Sequence, residues 1–125
     1  LGGNDAAQQI PLSEFRERMT AYVRRVKKEC GGRVAFIAGF RPGPLYPVEK
    51  AQMNARRQRY YRMLKSIAER EGALYIDVGT PLKAKAKRLY RQSTFHTVYS
   101  DGGHFNAVGN TIIAGEVLRA FKVTW

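Results

Sequence analysis

Two short apolar runs, Val34-Ala35-Phe36-Ile37-Ala38 and Ala73-Leu74-Tyr75-Ile76-Asp77-Val78, constrain the fold more than any other feature of the chain. A strand that faces water on one side alternates polar and apolar residues, whereas a run without alternation reads as a strand covered on both faces. Helical segments lie between and around these runs. Pro11 to Cys30 gathers Leu12, Phe15, Met19, Tyr22, Val23 and Val26 on one side, leaving Glu14, Arg16, Arg18, Arg24, Arg25 and Lys28 on the other. Ser13 is a candidate cap, and Gly31-Gly32 is the stop. Val48 to Glu71 turns Met53, Tyr60, Met63, Leu64 and Ile67 inward, with Arg56, Arg57, Arg59 and Arg62 on a basic outer side, and Gly72 ends it. A basic segment follows over 82–92, and Ala107 to Phe121 forms a last helix with Val108, Ile112, Val117 and Phe121 inward. Strands alternating with helices predict an α/β fold with parallel strands and helices on both faces.

Chemistry concentrates at the two ends. Near the C-terminus, Ser100-Asp101-Gly102-Gly103-His104-Phe105-Asn106 puts a carboxylate and an imidazole three residues apart, just ahead of the last helix. Residues so spaced lie side by side in a turn, so Asp101 is suited to orient a ring nitrogen of His104. That is the base half of a nucleophile–His–Asp system. Asn106 is a candidate cap for the helix that follows. The chain opens Leu1-Gly2-Gly3-Asn4-Asp5, an apolar residue running into a Gly-Gly-Asn-Asp turn, as where a buried parallel strand ends at a functional loop.

The Gly-x-Asn-Asp at the start and the Asp-x-x-His before the last helix, in this order, resemble two of the four sequence blocks of the SGNH hydrolases, the GDSL-type esterases and lipases. The resemblance runs over essentially the whole chain. It implies a three-layer α/β/α domain with a parallel, flavodoxin-like sheet, of which residues 1–125 are the C-terminal part. It also implies ester hydrolysis with no metal or cofactor. His104 is then the general base, Asp101 the residue that orients it, and the Asn4 amide an oxyanion donor. Gly2 and Gly3 let the backbone turn. Gly3 and Tyr46 are candidate substrate contacts, with Arg41 and Leu45 beside Tyr46 in a loop of three prolines.

One departure matters. Family members carry the nucleophilic serine in a Gly-Asp-Ser block well before the Asn block, and none of Ser13, Ser66, Ser93 or Ser100 has that context. The expectation is therefore a triad whose serine lies outside this chain, supplied by an N-terminal segment or by a second chain. A sheet cut at Leu1 exposes an interior edge, so the chain is expected to be packed with that segment. The competing reading is a catalytically inactive relative that binds an acidic glycan or a protein partner.

Composition narrows the field further. The chain has 125 residues, enough for one domain, and 22 basic against 10 acidic residues give a formal charge of +12. Such a balance favours polyanionic contacts, although an arginine-rich helix is more often a solvated face than a nucleic-acid reader, and no nucleic acid is expected as a partner. A lone cysteine, Cys30, excludes an intrachain disulfide. No stretch is apolar enough for a transmembrane segment. A periplasmic or secreted setting is preferred.

Overall fold

The computed structural model describes residues 1–39, 48–89, 98–100 and 104–123. In chain order the elements are α1 (Gly3–Ala7), α2 (Leu12–Cys30), β1 (Ala35–Ala38), α3 (Val48–Glu71), β2 (Leu74–Asp77), α4 (Gly79–Leu89) and α5 (Ala107–Ala120). β1 and β2 pair in parallel with Ala35 opposite Leu74 and Ala38 opposite Asp77. The ladder extends one residue at each end, where Leu74 N donates to the Val34 carbonyl at 2.8 Å and Val78 N to the Ala38 carbonyl at 3.0 Å.

The two strands separate two cores, because successive side chains of a strand point to opposite faces. Phe36 and Ala38 pack with Ala6, Phe15, Val23, Tyr60, Tyr61, Leu64 and Ile67, so α1, α2 and α3 cover one face. Ala35, Ile37, Leu74 and Ile76 pack with Leu82, Val98, Tyr99 and Ile112, so α4 and α5 cover the other. This is the predicted layering of helices on both faces of a parallel sheet, and the unalternating apolar runs were its signature. No described helix is long and apolar enough to cross a membrane.

α2 and α3 run side by side in the same direction. Phe15 meets the Tyr60 ring edge-on at 5.0 Å, Arg16 Nε donates to Met63 Sδ at 3.3 Å, and Arg24 forks onto the Glu71 carboxylate at 2.8 and 3.0 Å. The Arg24 hydrogen bond holds the Glu71 carboxyl below its ordinary value. Gly31 closes α2 in the left-handed conformation, φ 59°, as the sequence predicts. Ser13 does not cap the helix: Pro11 occupies that position and no side chain caps it, since Ser13 already lies inside the first turn and proline has no side-chain oxygen to accept from the first N–H groups. The inward face of α5 is also narrower than expected. Ile112 is buried and Val117 packs beside it as expected, but Val108 and Phe121 are 36% and 50% exposed, because the rest of the α5 contact runs through Ile113 and Ala120.

Asp77, at the end of β2, works as a cap. Its Oδ1 accepts from Gly79 N at 2.9 Å and its Oδ2 accepts from the Thr80 hydroxyl at 2.7 Å. Behind it the two strand ends meet at Gly39 and Gly79. Gly39 is buried with φ 94°, and a Cβ on Gly79 would fall inside the Gly39 carbonyl group. Gly79→Ala is therefore expected to destabilise the protein by about 2–3 kcal/mol, read as a lowered urea midpoint; an unchanged midpoint would contradict this contact.

Candidate active site

The first turn is built on α3. Leu1 N donates to the Ile37 carbonyl at 3.3 Å. The carbonyls of Val34 and Ala38 point to β2, so Ile37, one residue out of phase, points to the opposite edge of β1. The chain therefore enters along that edge, although the Leu1 side chain is itself exposed rather than buried as a strand end. Gly2 follows in the left-handed region, φ 82°, buried so tightly that a Cβ would lie 3.3 Å from Tyr60 Cβ. Both the sign of φ and the space demand glycine. The predicted turn is wound as the five-residue helix α1, with Gly2 at its N-cap.

Within α1, Gly3 is half-buried and a Cβ there would sit 3.9 Å from the Tyr61 hydroxyl. Asn4 has an exposed side chain, and its backbone carbonyl accepts from Gln8 N at 2.8 Å. α3 ties the unit down further: the Tyr60 hydroxyl donates to the Ile10 carbonyl, and Arg56 reaches the Ala6 carbonyl at 3.5 Å.

The second turn folds back on itself. Ser100 N donates to the His104 carbonyl at 2.9 Å and Asn106 N to the Val98 carbonyl at 3.0 Å. Tyr99 and Phe105 form the bridge between the two limbs, with rings stacked at 4.7 Å. His104 sits exposed at this bend. Asn106 caps α5 as expected, its Oδ1 accepting from Gly109 N at 3.0 Å. The Ser100 hydroxyl donates to the His104 carbonyl at 3.2 Å, which gives that serine a structural task.

Tyr61 lies between the turns. It borders Gly3 on one side, and it is near enough to Tyr99 on the other to act on that phenol electrostatically. Burial pushes the Tyr99 hydroxyl up to about 12, with Tyr61 adding to the rise and Arg57 opposing it. Burial, with Asp77 and Tyr61 adding to it, pushes the Tyr75 hydroxyl to about 12, and Tyr61 itself is raised by burial against Arg57. Tyr61 thus acts on both Tyr75 and Tyr99, and the Arg57 guanidinium acts on Tyr61 and Tyr99. The Nε of Arg57 and the Oδ1 of Asn54 are buried with no hydrogen-bond partner among the described residues.

Arg57 does not stand on the outer basic side as the sequence suggested; it is half-buried, one turn before Tyr61. Asn54, Arg57 and Tyr61 fall at i, i+3 and i+7, the stripe that continues through Leu64 and Ala68. That spacing was the signal available for a role facing the core. Of the residues singled out from the sequence, Asn4, Gly3 and His104 are thus on the two turns that flank Tyr61. Asp101 and Tyr46 lie outside the described residues, as do Arg41, Leu45, Ser93 and His96.

Comparison with known proteins bears on this arrangement. The profile described as GDSL-like Lipase/Acylhydrolase family matches residues 1–112. No curated protein sequence gives a significant match. Among solved structures, the chain is similar to a catalytic mutant of Axe2, an acetylxylan esterase from Geobacillus stearothermophilus, with TM-score 0.76 and 23% identity over 100% of this chain and 58% of that one. It is also similar to LAE5, an alpha/beta hydrolase enzyme from the metagenome of Lake Arreo, Spain, with TM-score 0.73 and 22% identity over 98% of this chain and 57% of that one. The chain therefore spans somewhat over half the length of the structures it resembles, and at these identities the likeness speaks to the fold.

Two measurements test the second turn. Asn106→Ala removes the cap of α5 and is expected to cost about 1 kcal/mol in a urea titration; a neutral result would show that the cap is dispensable. For Tyr99 the folded hydroxyl titrates above the ordinary 10.0, so the folded state keeps a proton that the unfolded chain releases. Stability from this group is full below pH 10 and is lost as pH rises towards about 12. Tyr99→Phe should flatten that alkaline decline, and an identical slope in the variant would refute the burial argument.

Proposed function

The chain belongs to the GDSL-like lipase/acylhydrolase family, matched over residues 1–112, and from that premise we propose that it supplies the base and oxyanion half of a serine ester hydrolase. Residues 1–125 form the C-terminal part of the domain in this reading. The nucleophile is a serine outside them, carried by an N-terminal segment or by a second chain. Support comes from Tyr61, which borders Gly3 of the turn that carries Asn4 and acts electrostatically on Tyr99 of the turn that carries His104. The similarity to an acetylxylan esterase makes an acyl group on a glycan the favoured substrate, with a lipid or small ester next.

The chemistry divides into two half-reactions. His104 takes the proton of the attacking serine hydroxyl as its oxygen bonds to the ester carbonyl carbon, and then returns that proton to the departing alcohol oxygen. Asp101 holds the imidazole tautomer and ring orientation. The Asn4 amide N–H donates to the carbonyl oxygen as it gains negative charge, and Gly3 keeps that approach free of a side chain. Water then repeats the sequence on the acyl-serine, His104 taking its proton and returning it to the serine. Tyr46 is the proposed substrate contact. The esterase needs no cofactor.

The test is p-nitrophenyl acetate turnover by the protein together with its N-terminal segment. His104→Ala should lower kcat by about 10⁴-fold or more, and Asn4→Ala by about 100-fold with little change in KM. Retained turnover in the His104 variant would remove the proposed base, and an unaffected kcat in the Asn4 variant would remove the oxyanion role.

A further inference from the structure

Resting on the esterase reading above, we propose that the acylated substrate is an anionic polysaccharide, and that Arg16, Arg56, Arg59 and Arg62 form the row that binds its carboxylates next to the Asn4 turn. Between residues 50 and 68, α3 carries Lys50, Arg56, Arg57, Arg59, Arg62 and Lys65 and not one acidic residue. Arg56, Arg59 and Arg62 follow at i+3 steps, so neighbouring guanidinium groups stand one turn apart and repel one another. Arg16 joins them from α2, held over Met63 by its Nε.

What sets this row apart is the treatment of the remaining arginines on the same helix pair. Arg18 pairs with Glu14, Arg25 with Glu29, and both Arg24 and Arg70 with Glu71. Arg16, Arg56, Arg59 and Arg62 have no carboxylate partner among the described residues, and Glu69 engages only Lys65, at 4.0 Å. Because α2 and α3 run in parallel, Arg24, Arg25 and Arg70 are neutralised towards the C-terminal ends of the pair, whereas towards the other end only Arg18 is neutralised, by Glu14. That second end is where α1 docks: Arg56 contacts the Ala6 carbonyl, two residues beyond Asn4. The positive row and the proposed oxyanion donor are therefore neighbours.

The chemistry of the row selects the kind of polyanion. Base stacking needs aromatic side chains among the cations, and both tyrosines of α3 are buried, at 3% exposure each. Nucleic acid backbones also carry no carboxylic esters. Anchoring to a lipid surface needs large apolar groups beside the charges, and among the described residues none of the exposed large hydrophobic ones lies on α3. An anionic polysaccharide offers both requirements of the site, acyl esters and a regular series of carboxylates. Guanidinium groups about 4.5 Å apart along the helix axis present their paired N–H donors to such a series.

The experiment compares kcat/KM on O-acetylated polygalacturonate and on O-acetylated xylan of equal acetyl content, using the protein with its N-terminal segment. The expected result is a preference for the acidic polymer that disappears in about 0.5 M salt and falls about tenfold in R59E/R62E, with Arg59→Lys/Arg62→Lys keeping most of it. De-esterified polygalacturonate should inhibit xylan deacetylation in wild type, which keeps the test open if the charge-reversed variant fails to fold. Equal kcat/KM on the two polymers, or a preference unaltered by salt, would overturn the proposal while p-nitrophenyl acetate turnover leaves the esterase reading standing. Absence of that turnover would remove the esterase reading and this proposal with it. Stronger inhibition by polyuridylate than by polygalacturonate would overturn it in favour of nucleic acid.

Discussion

Two strands running side by side in the same direction cannot be joined by a tight turn; the chain must travel back along the sheet before it can pair again. In this protein the return path is α3, and the parallel register of β1 on β2 fixes where that helix lies. Everything proposed for the site is referred to α3. One of its faces packs Tyr60, Leu64 and Ile67 into the core. Its N-terminal half receives α1 through Tyr60 and Arg56. Tyr61 projects between the two turns. A four-residue pairing thus dictates the position of a helix of 24 residues, and the helix in turn positions loops separated by about a hundred residues of sequence.

The polar groups around Tyr61 sit in surroundings that favour their neutral forms. Tyr61, Tyr75 and Tyr99 are all raised above the ordinary tyrosine value by burial first, so they are hydrogen-bonding hydroxyls at neutral pH and not anions. Arg57 acts on two of them, and its buried Nε lacks a partner among the described residues. An unsatisfied buried donor raises the free energy of the folded state by about 1–3 kcal/mol. Such a cost is commonly concentrated beside functional sites.

How far the sequence could be read depended on whether a feature was local. The α3 boundaries and the two strands were legible because periodicity and apolar runs are set by residues within one or two turns. Gly31 and Asn106 were legible as stop and cap because one residue carries each effect. Ser13 misled, since a serine near a helix start says nothing about whether Pro11 has already taken the boundary. Val108 and Phe121 misled for another reason: an apolar residue on a helical stripe is buried only if a partner surface reaches it, and α5 meets its neighbours through a narrower band. The place of Arg57 was hidden by its company, one arginine in a basic helix, and only packing distinguishes it from Arg59 two positions on. For the site itself, the residue types at both ends were visible, whereas their common neighbour Tyr61 was not, because contact between distant segments leaves no periodic trace.

The meeting of Gly39 and Gly79 has a consequence for substitution. A Cβ on Gly39 would run into the Asp77 carboxylate, and one on Gly79 into the Gly39 carbonyl group. Neither position accepts a larger residue while the other strand end stays where it is. Drift at this corner has to be concerted, both glycines together or neither.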